Sequence, residues 1–475
     1  MNKDILKGKK HIHFIGIGGS GMYPLAQILH SQGYYLTGSD NNETETLEAV
    51  RKMGIPVFMG QKAENIEGAD LIVHTAAIMA DNPELIASKA SGVPVLERSE
   101  LLGIVTSWYD NAICVSGTHG KTTTTSMITQ ILYTAGVDLS AFIGGKLPCI
   151  GGSGRAGKSD IMVCESCEFV DTFLKLYPDI AVILNIDEDH LDYFKNLENI
   201  IKSFHKFAEN ATKALIINGD DANTLKAVEG ISGKEIITFG LEEKNDYYAK
   251  NITRISGMET EYTLMHKNES LGKIRLHVAG MHNVLNSLAA AASAFYVNVP
   301  FDSIQKGLSD FRGAGRRFEL IGKEKGITIV DDYAHHPTEL SVTLNAAMGM
   351  GYKRVWAVFQ PFTFSRTAIL LDDFVKALSI PDIAVLTDIM GSREKNTYNI
   401  FTRNLAEKID GCVYFPQDEK AEYTDERKYE NFRQVCDYVC ENAKDGDLVI
   451  TLGCGDVYKV AKMIYKKLKG KEQYA

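Results

Sequence analysis

Residues 113–126, Ile-Cys-Val-Ser-Gly-Thr-His-Gly-Lys-Thr-Thr-Thr-Thr-Ser, combine glycines, a lysine and hydroxyls at a spacing suited to phosphate chemistry. An apolar run, Ala112 to Val115, leads into Gly117-Thr118-His119-Gly120-Lys121-Thr122. A helix-compatible segment, Thr123 to Ala135, leaves it, with Met127, Ile128, Ile131 and Leu132 at helical spacing. In such a strand–turn–helix, backbone N–H groups and the positive helix end face the phosphates. Lys121 adds a point charge, and the Thr122 hydroxyl can hold Mg²⁺. The pattern predicts an ATP site running from Gly117 to Thr123. A second segment, Gly152-Ser-Gly-Arg-Ala-Gly-Lys158-Ser159, fits the written phosphate-loop pattern more literally. Its surroundings argue against it: the residues before it are turn-like, and Ile161-Met-Val-Cys after it is a short strand, so no helix N-terminus is offered. It is expected to be a mobile basic connection.

Carboxylates follow at the places where nucleotide-binding α/β domains put ligands. Met162-Val-Cys-Glu165 reads as a strand ending in an acid, and Ala181 to Asn185 reads as another, delivering Ile-Asp187-Glu188-Asp189-His190. Mg²⁺ prefers oxygen ligands and one or two carboxylates beside phosphate oxygens, so Glu165 with Thr122 suits one ion. Cys164-Glu-Ser-Cys167 is read as a chance CxxC, because the strand would place its cysteines on opposite faces.

These groups need elements to hold them, and the chain supplies β/α alternation in three stretches. The first opens His11-Ile-His-Phe-Ile-Gly16-Ile-Gly18-Gly19-Ser-Gly21, a strand running into G-x-G-x-x-G. A helix from Tyr23 to His30, a strand from Tyr34 to Thr37 and then Asp40 follow. This arrangement suits a pyrophosphate-bearing ligand, whether dinucleotide or nucleotide-sugar. The middle stretch holds the phosphate loop, a run of short β-like pieces between Tyr247 and Val278, and an Ala-rich helix from His282. The last begins after Arg316-Arg317-Phe with strands at 327–330, 355–359, 383–386 and 447–450. The expected architecture is α/β with three domains in series: Rossmann-like at 1–108, a P-loop-type ATPase domain with a mixed sheet at 109–317, and Rossmann-like again at 318–475.

Composition agrees with an enzyme of this kind. At 475 residues the chain is too long for one core. Fifty-one basic against 61 acidic side chains argue against nucleic-acid binding. No apolar run is long enough to insert in a membrane, the N-terminus lacks a signal-like stretch, and eight scattered cysteines suggest a reducing, cytoplasmic setting.

Taken in order, Gly-Thr-His-Gly-Lys-Thr, Glu165, Asn185-Ile-Asp-Glu-Asp-His190, Gly280-Met-His282-Asn283-Val-Leu-Asn286, Arg316-Arg317-Phe-Glu and Asp331-Asp332-Tyr333-Ala-His335-His336-Pro337 resemble the Mur ligases. These are ATP-dependent amide-forming enzymes of peptidoglycan synthesis. The glycine motif ending at Met22, His119 inside the loop, and His-His-Pro are most similar to the member that joins L-alanine to UDP-N-acetylmuramate. The resemblance implies a first domain that holds the UDP-sugar through Gly16, Gly18, Gly19, Gly21, Asp40 and His74. It implies ATP contacts from the loop, Asn283, Asn286, Arg317 and Asp332, and an amino-acid end at Tyr333, His335 and Arg366. Lys121, Glu165, His190 and Arg317 would be catalytic, with Thr122, Glu165 and His190 as metal ligands, ATP and Mg²⁺ as cofactors, and a monomer or homodimer as the assembly.

Departures from the family pattern accompany the likeness. Gln360-Pro-Phe362-Thr363-Phe-Ser-Arg366-Thr stands where the family commonly has a His and an Arg at the positions of Phe362 and Thr363. Glu165-Ser-Cys-Glu168 departs from the usual acidic run, leaving Glu168 a less secure ligand. His205 stands where several relatives carry a modified lysine, so no carbamylated lysine is expected. The alternative functions are a ligase joining a ready-made peptide to the same UDP-sugar, an NAD-dependent oxidoreductase, and a silent UDP-sugar sensor.

Overall fold

The computed structural model describes residues 4–76, 78–391, 394–417 and 429–470. Three sheets carry the fold, one in each of the three stretches of β/α alternation. The first contains β1 His11–Ile15, β2 Tyr35–Asp40, β3 Val57–Met59, β4 Leu71–His74 and β5 Val95–Glu97, all parallel, in the order β3-β2-β1-β4-β5. That order reverses between β1 and β4, which makes their carboxyl ends the ligand crevice of a doubly wound sheet. Beneath it lies a wholly buried polar chain. His13 Nε2 meets Glu84 Oε1 at 2.7 Å, Ser39 Oγ donates to Glu84 Oε2 at 2.6 Å, and His13 Nδ1 lies 2.8 Å from Thr37 Oγ1.

The second sheet begins with β6 Asn111–Ser116, β7 Ser140–Leu147, β8 Gly152–Arg155, β9 Ile161–Glu165 and β10 Ile180–Ile183. It continues with β11 Ala214–Asn218, β12 Glu235–Gly240, β13 Tyr247–Arg254, β14 Thr260–His266 and β15 Glu269–Leu276. Their order is β15-β14-β13-β12-β11-β10-β6-β9-β7-β8. Strands β6, β9 and β10 are near-continuous apolar runs because helices cover both faces of a parallel sheet. The helix Leu197–Asn210 shows how: Ile200, Ile201, Phe204, Phe207 and Ala208 form its buried stripe. Phe173 stacks on Phe207 at 4.7 Å and meets Phe204 edge-on at 5.1 Å. The antiparallel ribbon β13–β15 is tied to the helix Met281–Tyr296 through Tyr262 Oη and Ser287 Oγ, 2.7 Å apart.

Residues 152–158, expected to be a mobile connection, are instead pinned at the sheet edge. Strand β8 pairs antiparallel with β7, which itself runs through Lys146 and Leu147, and only Pro148–Ile150 makes a turn. Asp138 holds the far side: it pairs with Arg155 at 2.6 Å and accepts the Lys158 N–H at 3.1 Å, while its own carbonyl accepts from Ser159 N at 2.9 Å. Such long-range partners leave no trace in local sequence pattern.

The chain forms two compact units. The first comprises Met1–Arg254, Glu259–His277 and Met281–Ala314, and the second Ile255–Met258, Val278–Gly280 and Gly315–Ala475. The first two sheets therefore share a unit, and one continuous apolar core runs from Ile12 and Phe14 through Leu101 and Ile104 to Phe173 and Phe204. Their junction is tight. A Cβ on Gly154 would lie 2.6 Å from Pro24 Cβ in the helix Tyr23–Ser31, and one on Gly103 would lie 2.1 Å from the Lys175 carbonyl oxygen. The second unit holds β16 Glu319–Glu324, β17 Ile327–Asp332, β18 Arg354–Phe359, β19 Ile383–Thr387, β20 Val413–Phe415 and β21 Asp447–Leu452. Their order is β16-β17-β21-β18-β19-β20, with only β16 antiparallel.

Gly103 lies inside the helix Arg98–Thr106, where glycine is otherwise unfavourable. Gly→Ala in an exposed helix stabilises by about 1 kcal/mol. At Gly103 the sign reverses: the Lys175 carbonyl leaves no room, and Gly103→Ala is expected to cost about 1–3 kcal/mol. Urea unfolding of the two proteins reads the difference.

Candidate active site

Three neighbouring strands of the first unit, β9, β6 and β10, deliver their carboxyl ends side by side. From β6 the chain turns through Gly117, at φ 143°, and Gly120, at φ 87°, into the helix Lys121–Thr134. Both angles lie in the region that glycine alone enters freely. Asn185, just beyond β10, clamps the loop. Its Oδ1 accepts from His119 N at 2.8 Å, its Nδ2 donates to His119 O at 3.0 Å, and its backbone oxygen accepts from Thr118 N at 3.0 Å. The Thr118 hydroxyl accepts from Asp187 N at 2.9 Å. Sequence reading missed the role of Asn185, although it lay within a quoted motif; its position at the carboxyl end of a buried strand was the available signal.

Lys121 curls over this loop. Its ammonium donates to Gly117 O at 2.6 Å and Thr118 O at 3.1 Å, and it pairs with Glu168 at 3.0 and 2.8 Å. Burial works against the charge, but the carboxylates of Glu168 and Glu165 outweigh it and hold the Lys121 pKa above the ordinary lysine value. Thr122 Oγ1 donates to Glu165 Oε1 at 2.8 Å, and Glu165 Oε2 accepts from Gly144 N at 2.6 Å. Thr123 follows in the first turn of the helix.

Two donor sets suit the Mg²⁺ that such a loop implies. Thr122 and Glu165 form one. Glu168, Asp189 and His190 form the other, each with a ligand atom within 4.8 Å of the others'. Both sets are rich in hard oxygen donors, with His190 the one nitrogen. Thr122 and Glu165 are thus together, whereas His190 lies with Glu168, which the sequence had ranked low. Two successive left-handed residues, Val170 at φ 54° and Asp171 at φ 56°, turn the chain after Glu168. Asp171 is anchored there by Ser203 and by Tyr193 Oη at 2.7 Å, which offsets a strain of roughly 1–3 kcal/mol per residue. The His190 ring packs on Phe169, with centroids 4.6 Å apart.

Asn286 lies against the same loop from the helix Met281–Tyr296, with Asn283 one turn before it. Asn286 Nδ2 donates to Asn283 Oδ1 at 3.1 Å, and a Cβ on Gly120 would lie 2.5 Å from Asn286 Oδ1. At the crevice of the first sheet, Gly16 donates to the Ser39 carbonyl at 2.8 Å and accepts from Gly19 N at 3.1 Å. Asp40 accepts from Gly18 N at 2.9 Å and from Asn42 N at 3.1 Å, so its carboxylate braces the glycine turn. His74 ends β4 across the switch point, its Nδ1 3.0 Å from the Thr75 carbonyl. A Cβ on Gly21 would touch Arg98 at 3.0 Å, placing a guanidinium beside the glycine turn that the sequence did not single out.

The second unit gathers its own cluster at the ends of β17, β21 and β18. Arg316 is fully engaged: Nε donates to Asp331 at 3.0 Å, both terminal nitrogens donate to the carbonyls of Gly453 and Cys454, and the guanidinium lies over Tyr333 and Tyr458. Arg317 also lies over the Tyr333 ring, 5.0 Å from its centroid. Burial pushes the Asp332 carboxyl up to about 6 against the pull of Arg317, while it accepts from Phe318 N and Ala334 N at 2.7 Å each. His335 is pushed down to about 4 by burial; it meets the Tyr333 ring edge-on and lies 3.3 Å from Glu339. Arg366 donates to the Phe362 carbonyl at 3.0 Å. Thr363, in place of the family's arginine, donates its hydroxyl to Glu394 at 2.6 Å together with Ser365.

Comparison with known proteins places this geometry. Residues 11–109 match the family model described as Mur ligase family, catalytic domain; residues 115–294 match the Mur ligase middle domain; and residues 316–455 match the Mur ligase, glutamate ligase domain. The UDP-N-acetylmuramate–L-alanine ligase of Acetivibrio thermocellus is 43% identical over 96% of both chains. That of Agathobacter rectalis is 44% identical over 96% of this chain and 98% of its own. The solved UDP-N-acetylmuramate-alanine ligase of Thermotoga maritima superposes with a TM-score of 0.80 at 25% identity, covering 98% of this chain and all of that one. A murein peptide ligase from Psychrobacter arcticus shares the fold at 23% identity, with a TM-score of 0.71 over 98% of this chain and all of its own. With full-length relatives of this identity and all three domain models in order, the chain belongs to the Mur ligase family.

Proposed function

We propose that this chain joins L-alanine to UDP-N-acetylmuramate with cleavage of ATP, in the synthesis of peptidoglycan precursors. The observation that carries the reading is its similarity, over 96% of its length, to relatives named for that reaction. A carboxylate is a poor acylating agent, so the lactyl carboxylate oxygen attacks the γ-phosphorus, giving an acyl phosphate and ADP. The alanine amine then attacks the acyl carbon and loses a proton, and the tetrahedral oxyanion collapses with departure of phosphate. Amide, ADP, phosphate and the proton lost by the amine account for every atom.

Phosphoryl transfer asks for positioning and charge stabilisation rather than covalent help. In this reading the loop from Gly117 to Thr123 seats the triphosphate, and Lys121 turns to its β- and γ-phosphates. Asn283 and Asn286 meet the adenine, and Arg317 is assigned to the nucleotide set by the family likeness. Bound Mg²⁺ would neutralise phosphate charge, held by Thr122 with Glu165 and by Glu168 with Asp189 and His190. Gly16, Gly18, Gly19, Gly21, Asp40 and His74 receive the UDP-sugar at the switch point of the first sheet. Tyr333, His335 and Arg366 receive the amino acid, and Asp332 braces the segment that carries Tyr333 and His335. A neutral His335 presents no positive charge to the incoming ammonium.

Thr363 favours one second reading, a peptide as the incoming amine, because it binds Glu394 where the family pattern places a cation. Phosphate release from MgATP with UDP-N-acetylmuramate separates the two. It is expected to depend on L-alanine and to exceed that with glycine, L-serine or a tripeptide. Preference for the peptide would move the substrate and keep the chemistry. Lys121→Ala is expected to cost roughly 3 kcal/mol or more in the barrier, about a hundredfold in kcat; near-normal turnover would sink the ATP-site assignment. The depressed His335 pKa has a stability consequence. Between its ordinary value of 6.5 and about 4, the unfolded chain binds a proton that the native chain refuses, so stability falls as pH drops through that window. The loss amounts to about 3 kcal/mol at pH 4. His335→Gln should flatten this acid limb in unfolding curves measured across pH.

A further inference from the structure

Glu168 serves two positive claimants. One carboxylate oxygen lies 3.0 Å and the other 2.8 Å from Lys121 Nζ, while the same carboxylate completes the donor set with Asp189 and His190. The pair is sheltered, with side chains 15% and 3% exposed, so its attraction is little screened by water or salt. All three ammonium hydrogens are used, on Gly117 O, Thr118 O and Glu168, and none is left over for a phosphate. A lysine so committed must lose at least one of these partners before it can grip a nucleotide.

We propose that the Lys121–Glu168 pair is an ionic latch that makes the lysine's grip on ATP conditional on a divalent cation. A cation entering at Glu168, Asp189 and His190 neutralises the carboxylate and releases the ammonium to the phosphates. Metal-free ATP brings no such replacement and must break the pair unaided. By linkage, the lysine and the cation compete for Glu168 when no nucleotide is present, and each weakens the other's hold. The latch differs from simple metal ligation by Glu168, which predicts only that its loss weakens metal binding. It rests on the reading of the Gly117–Thr123 loop as the ATP site.

Two measurements on the full chain test it. Calorimetric titration with ATP in excess EDTA is expected to show Glu168→Gln binding metal-free ATP about tenfold or more tighter than the wild type, with a smaller further gain from Mg²⁺. Equal metal-free affinities would overturn the latch. The second works from the other side and does not need the glutamate variant to fold. Lys121→Met, titrated with Mn²⁺ alone and followed by the paramagnetic resonance of free Mn²⁺, should bind the ion several-fold tighter than the wild type. Unchanged or weaker Mn²⁺ binding would overturn the proposal. Wild-type protein that binds no ATP even with Mg²⁺ would overturn the ATP-site reading itself, whereas normal MgATP binding with either null result removes the latch alone.

Discussion

The site depends on how closely the phosphate loop is pressed against its neighbours. A Cβ on Gly117 would lie 2.9 Å from Leu184 Cβ, and one on Gly120 would meet Asn286. With no side chain at either corner, the loop lies flat between the end of β10 and the helix Met281–Tyr296, and Asn185 fixes its peptide planes. The helix that follows then starts where its unpaired N–H groups and Lys121 converge. A bulkier corner would lift the loop off Asn185 and disperse that convergence, so the backbone constraint precedes every electrostatic one.

Much of this was legible in the sequence because it is local. Strand, turn and helix around Lys121 follow each other within about twenty residues, and their periodicity announces them. The acids at strand ends, Glu165 and the 187–190 run, were legible for the same reason. What escaped was long-range. The partnership of Lys121 with Glu168 spans 47 residues and arises from β6 and β9 lying side by side, an adjacency that periodicity does not encode. The left-handed Val170, a β-branched type that rarely takes that conformation, and Asp171 turn the chain after Glu168 without a glycine to advertise it. Strand β8 was misread for a similar reason, since its partners Asp138 and β7 set its state.

The two arginines at 316 and 317 are adjacent in sequence and opposite in circumstance. Arg316 is a structural strut, spent on Asp331, two carbonyls and two rings. Its planar guanidinium meets all of them at once, which a lysine's single ammonium would not. Arg317 lies over the same Tyr333 ring and acts on Asp332 through its charge, so the strut holds the ring against which its neighbour packs. The brace on Asp332 from Phe318 N and Ala334 N ties together the open ends of the β16–β17 hairpin. Asp331 and Tyr333 lie close to Arg316 in sequence, but its other partners, Gly453, Cys454 and Tyr458, lie more than a hundred residues downstream, which no local pattern announces.

The close approach of Gly154 to Pro24 and Gln27 leaves the seam between two domains without spare room. The N-terminal helix and the edge strand of the second sheet belong to domains that match separate family models, yet neither surface has slack at this point. Any enlargement on one side must be matched by a reduction on the other. A hybrid built with a distant relative's first domain would meet a mismatched seam here, unless both positions changed together.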